Sequence, residues 1–149
     1  MKAVWWLLLV LLLLAVAGSV ARRFMARNDD FQFDRKSVRM EVVNACGVPR
    51  IGRAVADNLQ MRGYDVYGAG NATKHWGRTT VVDLRDPSGR TAGRVARSLA
   101  VTRRWWRVRV GRPAIPDTTV EIDSSRYLEV RLVVGDDYRR FFPGVVPLY

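Results

Sequence analysis

The chain begins with a long apolar stretch. Residues 3–21 carry no charge, residues 7–14 are almost entirely Leu, and Trp5 and Trp6 stand directly before that run. Nineteen helical residues extend about 28 Å, close to the ~30 Å hydrocarbon core of a bilayer, and Trp favours the interface between lipid and water. The pattern predicts a transmembrane signal anchor over residues 1–21, with a cleaved signal peptide as the alternative.

A polar segment comes after the apolar stretch. Residues 22–36 mix charges of both signs with scattered Phe and show no helical or strand period, which indicates a juxtamembrane linker. Positive charges alone would place its basic start, at Arg22 and Arg23, in the cytoplasm. A very short N-terminal tail before a long Leu run is instead typical of an anchor that exports the rest of the chain. We therefore expect a single-pass protein of the cytoplasmic membrane whose C-terminal domain lies outside the cytoplasm.

Regular patterning begins at residue 37 and indicates one domain over residues 37–143, followed by a tail at 144–149. Met40 and Val42 alternate with polar residues, which indicates a half-buried strand, and an apolar repeat of four residues from Ile51 indicates a helix. By the same criteria we predict main strands at 37–43, 64–67, 78–84 and 128–134, and helices at 51–62 and 91–100.

These elements occur in the order β-α-β-β-α-β, with a further short strand predicted at 105–110. Two helices and four main strands predict an α/β (α+β) fold, namely a small split βαβ sandwich with both helices on one sheet face. Ser88, which follows the break at Asp86 and Pro87, is the expected N-cap of the second helix.

The amino-acid composition excludes several kinds of functional site. The 149 residues include 25 Lys and Arg against 14 Asp and Glu, a net charge of +11, with one Cys and one His. A single Cys excludes a disulfide within the chain and a metal site built from several Cys, and a single His disfavours zinc sites and His-based triads. We therefore expect a non-catalytic protein without a cofactor or a bound metal.

The basic excess is concentrated in one segment. Between Pro87 and Pro116 there are eight Arg and no acidic residue, and two adjacent Trp lie among them. Arg pairs with phosphates and carboxylates, and Trp stacks on sugars or bases. The alternative is that several of these Arg form the solvated face of the second helix and reflect a general preference for Arg over Lys. The candidate ligand-binding residues are Arg103, Arg104, Trp105, Trp106, Arg107 and Arg109.

Several short motifs in a fixed order resemble a known family. They are Asn44-Ala45-Cys46-Gly47-Val48-Pro49, Arg62-Gly63-Tyr64-Asp65-Val66, Gly70-Asn71-Ala72 and Val133-Val134-Gly135-Asp136-Asp137-Tyr138. Across residues 37–143 the sequence resembles the LytR C-terminal domain of bacterial cell-envelope proteins. Arg50 stands where that family usually has Gly, and Gly52 where it usually has Ala. The family motif positions are Asn44, Gly47, Gly63, Asn71, Gly135, Asp137 and Tyr138.

The resemblance implies a membrane-tethered, non-catalytic module of the cell envelope. In that family the domain often follows a LytR-CpsA-Psr phosphotransferase domain, which we do not find in this sequence. The expected partners are the membrane and either a cell-wall polymer, such as peptidoglycan or an anionic polymer, or an envelope protein. A membrane-anchored cytoplasmic nucleic-acid-binding protein that uses the Arg and Trp segment is the alternative. The Gly and Asn residues of the motifs are interpreted first as backbone devices, because both tolerate left-handed dihedral angles.

Overall fold

The computed structural model describes residues 5–6, 10–19, 34–101, 104–105, 108–109, 113–125 and 127–147, with the backbone alone at 104–105 and 108–109. The chain divides into two compact units, Met1–Phe33 and Asp34–Tyr149. The boundary between them lies three residues before the predicted start of the domain. Most of the predicted linker, residues 22–33, lies outside the described residues.

The described helices of the first unit contradict the prediction of an N-terminal transmembrane helix. Residues 5–6 and 10–19 are helical, but among the described residues no helix is long and apolar enough to cross a membrane. The predicted transmembrane helix is therefore wrong for the part of the chain that the structure describes.

The second unit contains seven described strands and two described α-helices. Two short 3-10 helices, Arg35–Ser37 and Asp136–Arg140, flank this arrangement. In chain order the elements are β1 (Arg39–Asn44), α1 (Ile51–Met61), β2 (Asp65–Asn71), β3 (Thr80–Asp83), α2 (Arg90–Ser98), β4 (Arg104–Trp105), β5 (Val108–Arg109), β6 (Asp117–Val120) and β7 (Val130–Val134).

Five of the strands form one mixed sheet in the order β2-β1-β7-β3-β6, and β4 and β5 form a separate antiparallel pair. Strands β1, β2 and β7 run in the same direction, and β3 and β6 run in the opposite direction. The mixed α/β class agrees with the prediction, but the split βαβ order is wrong. The parallel strands of β1-α1-β2 are direct neighbours, and so are those of β3-α2-β6. Strand β7 lies between these two βαβ segments and splits neither of them.

The sheet has one fully buried face. Val42 pairs with Leu132, and Leu132 pairs with Val81, so these side chains form a row across β1, β7 and β3. All three are completely buried, as are Met40 and Val130 in the next row. This face is the main hydrophobic core.

Both helices cover that face. Asn44 and Asp83 belong to it, since each lies two positions along its strand from a core residue. A Cβ placed on Gly52 of α1 would stand 3.1 Å from Cβ of Asn44, and the backbone N–H of Ala92 in α2 donates to Asp83 Oδ2 at 3.0 Å. From β1 to β2 the chain moves toward one side of the sheet, and from β3 to β6 it moves toward the other side, with the strands reversed in direction. Because both changes occur together, two right-handed crossovers place α1 and α2 on the same face.

The helix ends agree with the sequence only in part. Gly63 adopts φ +87° directly after α1 and donates its N–H to Gln60 O at 2.9 Å, which ends the helix within one residue of its predicted end at residue 62. The predicted N-cap of α2 is wrong. Gly89, in the left-handed region, precedes α2 without a side-chain cap, and the Ser88 hydroxyl donates instead to Asp86 Oδ1 at 2.5 Å.

Candidate functional site

Three of the motifs end at the same edge of the sheet. Strands β1, β2 and β7 are adjacent and parallel, so their carboxyl ends coincide there. The N–H of Ala72 donates to Asn44 O at 2.8 Å, and the N–H of Ala45 donates to Val134 O at 2.9 Å. In open α/β sheets, ligands bind outside the carboxyl ends of the strands. We call this region the carboxyl edge.

Asn44 organises the loop that leaves β1. Its Nδ2 donates to Val48 O at 2.8 Å and lies 3.4 Å from Asn71 Oδ1. Its Oδ1 accepts from both the backbone N–H and the thiol of Cys46, each at 3.2 Å. With 7% of its surface exposed, this side chain holds the loop together through hydrogen bonds. It does not do so through the left-handed dihedral angle that was expected of the motif residues, because Asn44 lies in β1 without a positive φ.

The same loop contains an unusual backbone conformation. Arg50 adopts φ +59°, which makes it the one non-Gly residue with positive φ among the described residues. An L-residue in the left-handed region costs about 1–2 kcal/mol, whereas Gly adopts it freely. Gly, which usually stands at this position in the family that the sequence resembles, would adopt this turn without strain, whereas Arg50 adds a charged side chain.

The loop after β7 is held against the start of β3. The N–H of Thr79 donates to Asp137 Oδ1 at 2.6 Å, and the N–H of Gly135 donates to Thr79 Oγ1 at 3.2 Å. A Cβ on Gly135 would lie 2.6 Å from the carbonyl oxygen of Arg78, which no side chain allows. Tyr138 is buried in the next turn. These motif positions therefore fix the carboxyl edge in place.

A concave surface opens at the carboxyl edge. It has a volume of about 520 Å³ and lies between the loop after β1 and the loop after β2. The cationic side chains of Arg50 and Lys74 line it. His75 also lines it, and its Nε2 lies 2.9 Å from Asp136 Oδ2. The motif residues in its wall are Asn44, Gly47 and Asn71.

A second concave surface lies on the sheet face that the helices leave open. This groove has a volume of about 490 Å³. Trp76 lines it and packs against a small apolar cluster that includes Val82 and Val133. Residues 71–74 line both the groove and the carboxyl-edge surface, so the two concavities share a wall.

Arg131 is the centre of the polar part of the groove. Its Nε lies 2.5 Å from Glu41 Oε1, and its Nη1 lies 3.3 Å from Glu121 Oε2. The side chains of Arg131 and Glu41 are 18% and 16% exposed, whereas Glu121 is 66% exposed. The groove therefore offers a rigid, largely neutral set of planar hydrogen-bonding groups beside an aromatic ring.

Comparison with known protein families assigns the chain to one of them. Residues 37–138 match the family described as LytR cell envelope-related transcriptional attenuator. The chain belongs to this family. No curated protein and no solved structure matches the chain in the same comparisons.

Membership in the LytR family makes this a cell-envelope-associated domain of a bacterial, regulatory class. Six of the seven motif positions lie at or next to the carboxyl edge. Gly63 is the exception, because it follows α1 and precedes β2 at the opposite edge of the sheet. Its role is to stop the α1 helix.

The basic residues singled out in the LytR-family sequence remain untested. Arg103, Trp106 and Arg107 lie outside the described residues, as do the side chains of Arg104, Trp105 and Arg109. In the described backbone, Arg104 pairs with Arg109 in a short antiparallel ladder.

The groove residues were missed by the sequence analysis. Strand alternation placed Glu41 and Arg131 on the outward face of β1 and β7, but it gave no sign that this face is concave. The parallel pairing of β1 with β7 sets Glu41 directly beside Arg131, and that pairing joins residues 90 positions apart. In the described part of the chain, no group of three or more His, Cys, Asp or Glu could hold a metal ion.

Proposed function

We propose that this domain is a non-catalytic binding module that holds cell-wall polymer in the groove and at the adjoining carboxyl edge. The observation that carries the proposal is the shared wall at residues 71–74, which joins the two concave surfaces into one binding region. The gathering of the family motifs around the same wall supports it.

The chemistry of the region favours peptidoglycan as the polymer. Trp76 supplies an apolar aromatic surface for a sugar ring, and Glu121 and Glu41 supply acceptors for hydroxyl and amide groups. Arg50 and Lys74 at the carboxyl edge supply cations for the carboxylates of stem peptides. A polymer that is anionic along its whole length fits less well, because the groove is largely neutral and the exposed carboxylate of Glu121 would repel it.

The basic segment is a second proposed contact. The positive charges of its Arg residues would attract the carboxylates of the wall at long range, and salt would screen that attraction. The nucleic-acid-binding alternative depends on the same Arg and Trp side chains, so it stays a prediction that a nucleic-acid titration tests.

Co-sedimentation of the full chain with purified peptidoglycan sacculi, titrated with salt, tests the proposal. Trp76→Ala and Glu121→Gln should remove most of the retained protein at every salt concentration, because they act at the groove. Replacement of Arg103, Arg104, Arg107 and Arg109 by Ser should weaken retention at low salt alone.

A matched control separates the groove from general charge effects. Arg53→Gln removes one exposed cation from α1, on the helix-covered side of the sheet, whereas Lys74→Gln removes one from the proposed site. We expect weaker retention for Lys74→Gln and unchanged retention for Arg53→Gln. If the full chain stays in the supernatant even at low salt, the polymer proposal is wrong, and an envelope protein becomes the partner to seek.

A further inference from the structure

Strand β2 forms an edge of the sheet whose protection is limited to a bulge at Tyr67, where its pairing with β1 shifts register. Residues 67–71 are all exposed, and none of the residues from Val66 to Asn71 is charged or is Pro. Natural edge strands are commonly protected by charges, Pro or a covering element. The opposite edge, β6, has such protection, because Pro116 precedes it and Asp117 forms an ion pair with Arg78 at 3.0 Å.

The backbone of β2 is open to a second strand. A Cβ built on Gly68 or Gly70 would meet no heavy atom within 4 Å, and Gly within a strand often marks the close approach of another backbone. Because the N–H of Ala72 points to Asn44 O, alternation along the strand directs the N–H and C=O of Ala69 away from β1. These polar groups are available for pairing.

The charges at the ends of β2 complement each other. Asp65 begins the strand, and Lys74 follows its end. Neither side chain makes an ion pair with another described residue. If two copies of β2 pair in antiparallel fashion, each Asp65 lies beside the end of the partner strand that leads to Lys74. A two-fold axis therefore creates two opposite-charge contacts from one surface.

We propose that two copies of this chain associate through antiparallel pairing of β2, centred near Ala69, to form one continuous ten-stranded sheet. A second copy fits this edge because the strand is self-complementary in charge, as a two-fold interface requires. One strand pair buries little area, so the association is weak and depends on protein concentration. The helix-free grooves of the two copies then lie on the same continuous sheet.

Sedimentation of the full chain over a range of concentrations tests this proposal. The wild type should show a reversible monomer–dimer equilibrium. Ala69→Lys places like charges at the two-fold axis and should raise the dissociation constant by about tenfold or more. Thr119→Lys adds the same charge to the exposed β6 edge and should leave the dissociation constant unchanged.

A charge exchange makes the test independent of folding defects. Asp65→Lys should weaken the dimer at low salt, and the double variant Asp65→Lys/Lys74→Asp should restore it, because the exchanged charges again face each other. A wild-type chain that is monomeric at every concentration overturns the proposal. So does a dimer that tolerates Ala69→Lys, or a double variant as weak as Asp65→Lys.

Discussion

Asn44 and Asn71 lie side by side at the carboxyl ends of β1 and β2, where Asn44 Nδ2 is 3.4 Å from Asn71 Oδ1. They are cross-strand partners in the parallel ladder. One is nearly buried and the other is exposed. The two motif residues therefore have different roles, since Asn44 holds the loop together and Asn71 faces both concave surfaces.

This difference predicts unequal costs of substitution. Asn44→Ala removes the shorter of two hydrogen bonds to Val48 O, which keeps the Ile51 N–H at 3.4 Å, and it leaves the Cys46 N–H without its acceptor. It should therefore lower the free energy of unfolding by about 1–3 kcal/mol. Asn71→Ala should change it by less than about 0.5 kcal/mol, as exposed positions usually do. Urea unfolding of both variants checks this, and equal effects would contradict the assignment of Asn44 as the residue that holds the loop together.

Two Gly→Ala substitutions should have opposite signs. Gly135→Ala drives a Cβ into the backbone of Arg78, and such overpacking costs typically about 1–3 kcal/mol. Gly93→Ala, within α2, finds only ordinary contact with the Arg97 guanidinium at 3.5 Å and should add about 0.5–1 kcal/mol through helix propensity. Thermal unfolding reports both changes, and a stable Gly135→Ala variant would show that the loop after β7 is not held against β3.

The left-handed conformation of Arg50 predicts a preference between two truncations. Arg50→Gly and Arg50→Ala both remove the guanidinium, but only Gly relieves the backbone. Arg50→Gly should therefore be more stable than Arg50→Ala by about 1 kcal/mol. Comparing the two variants in urea cancels the contacts of the side chain, and equal stability would mean that the turn relaxes when Arg50 is replaced.

The turn before α2 has an acid-sensitive carboxyl. Hydrogen bonds from the hydroxyl and N–H of Ser88, with the nearby Arg90 guanidinium, lower the pKa of Asp86 below its ordinary value of 3.8. A group with a lowered native pKa stabilises the fold above its unfolded pKa, and this contribution is lost as the pH falls below 3.8 through the native value. Ser88→Ala should raise the Asp86 pKa toward 3.8. A carboxyl titration followed by nuclear magnetic resonance checks this, and an unchanged pKa would exclude Ser88 as the main cause.

Elements with one buried face were predictable from the sequence. Strands β1 and β7 alternate because the helices bury one side of the sheet and leave Glu41 and Arg131 on the other. Strand β6 was not predicted, because all four of its side chains are exposed and so leave no apolar period. The predicted second strand ended at residue 67, four residues before the end of β2, because the Gly and Ala residues that follow show no alternation of apolar and polar side chains.

The order of the strands could not be read from local patterns. The position of β7 between β1 and β3 depends on pairings between residues far apart in the chain. The alternation of apolar and polar residues within a strand does not indicate which strands are its neighbours. The groove depends on that order, because it sets Arg131 beside Glu41 and brings Trp76 over the open face. The motif residues at the loops were found from the sequence, whereas their common location required the sheet.

Binding of cell-wall polymer by the groove and the carboxyl edge is the central claim. The most direct measurement follows amide chemical shifts of the full chain during titration with soluble peptidoglycan fragments. We predict the largest shifts at residues 71–76, with further shifts at Glu41 and Arg131 and none at Arg53 on the outer side of α1. Saturable shifts confined to the helices, or binding that leaves residues 71–76 unchanged, would contradict the claim.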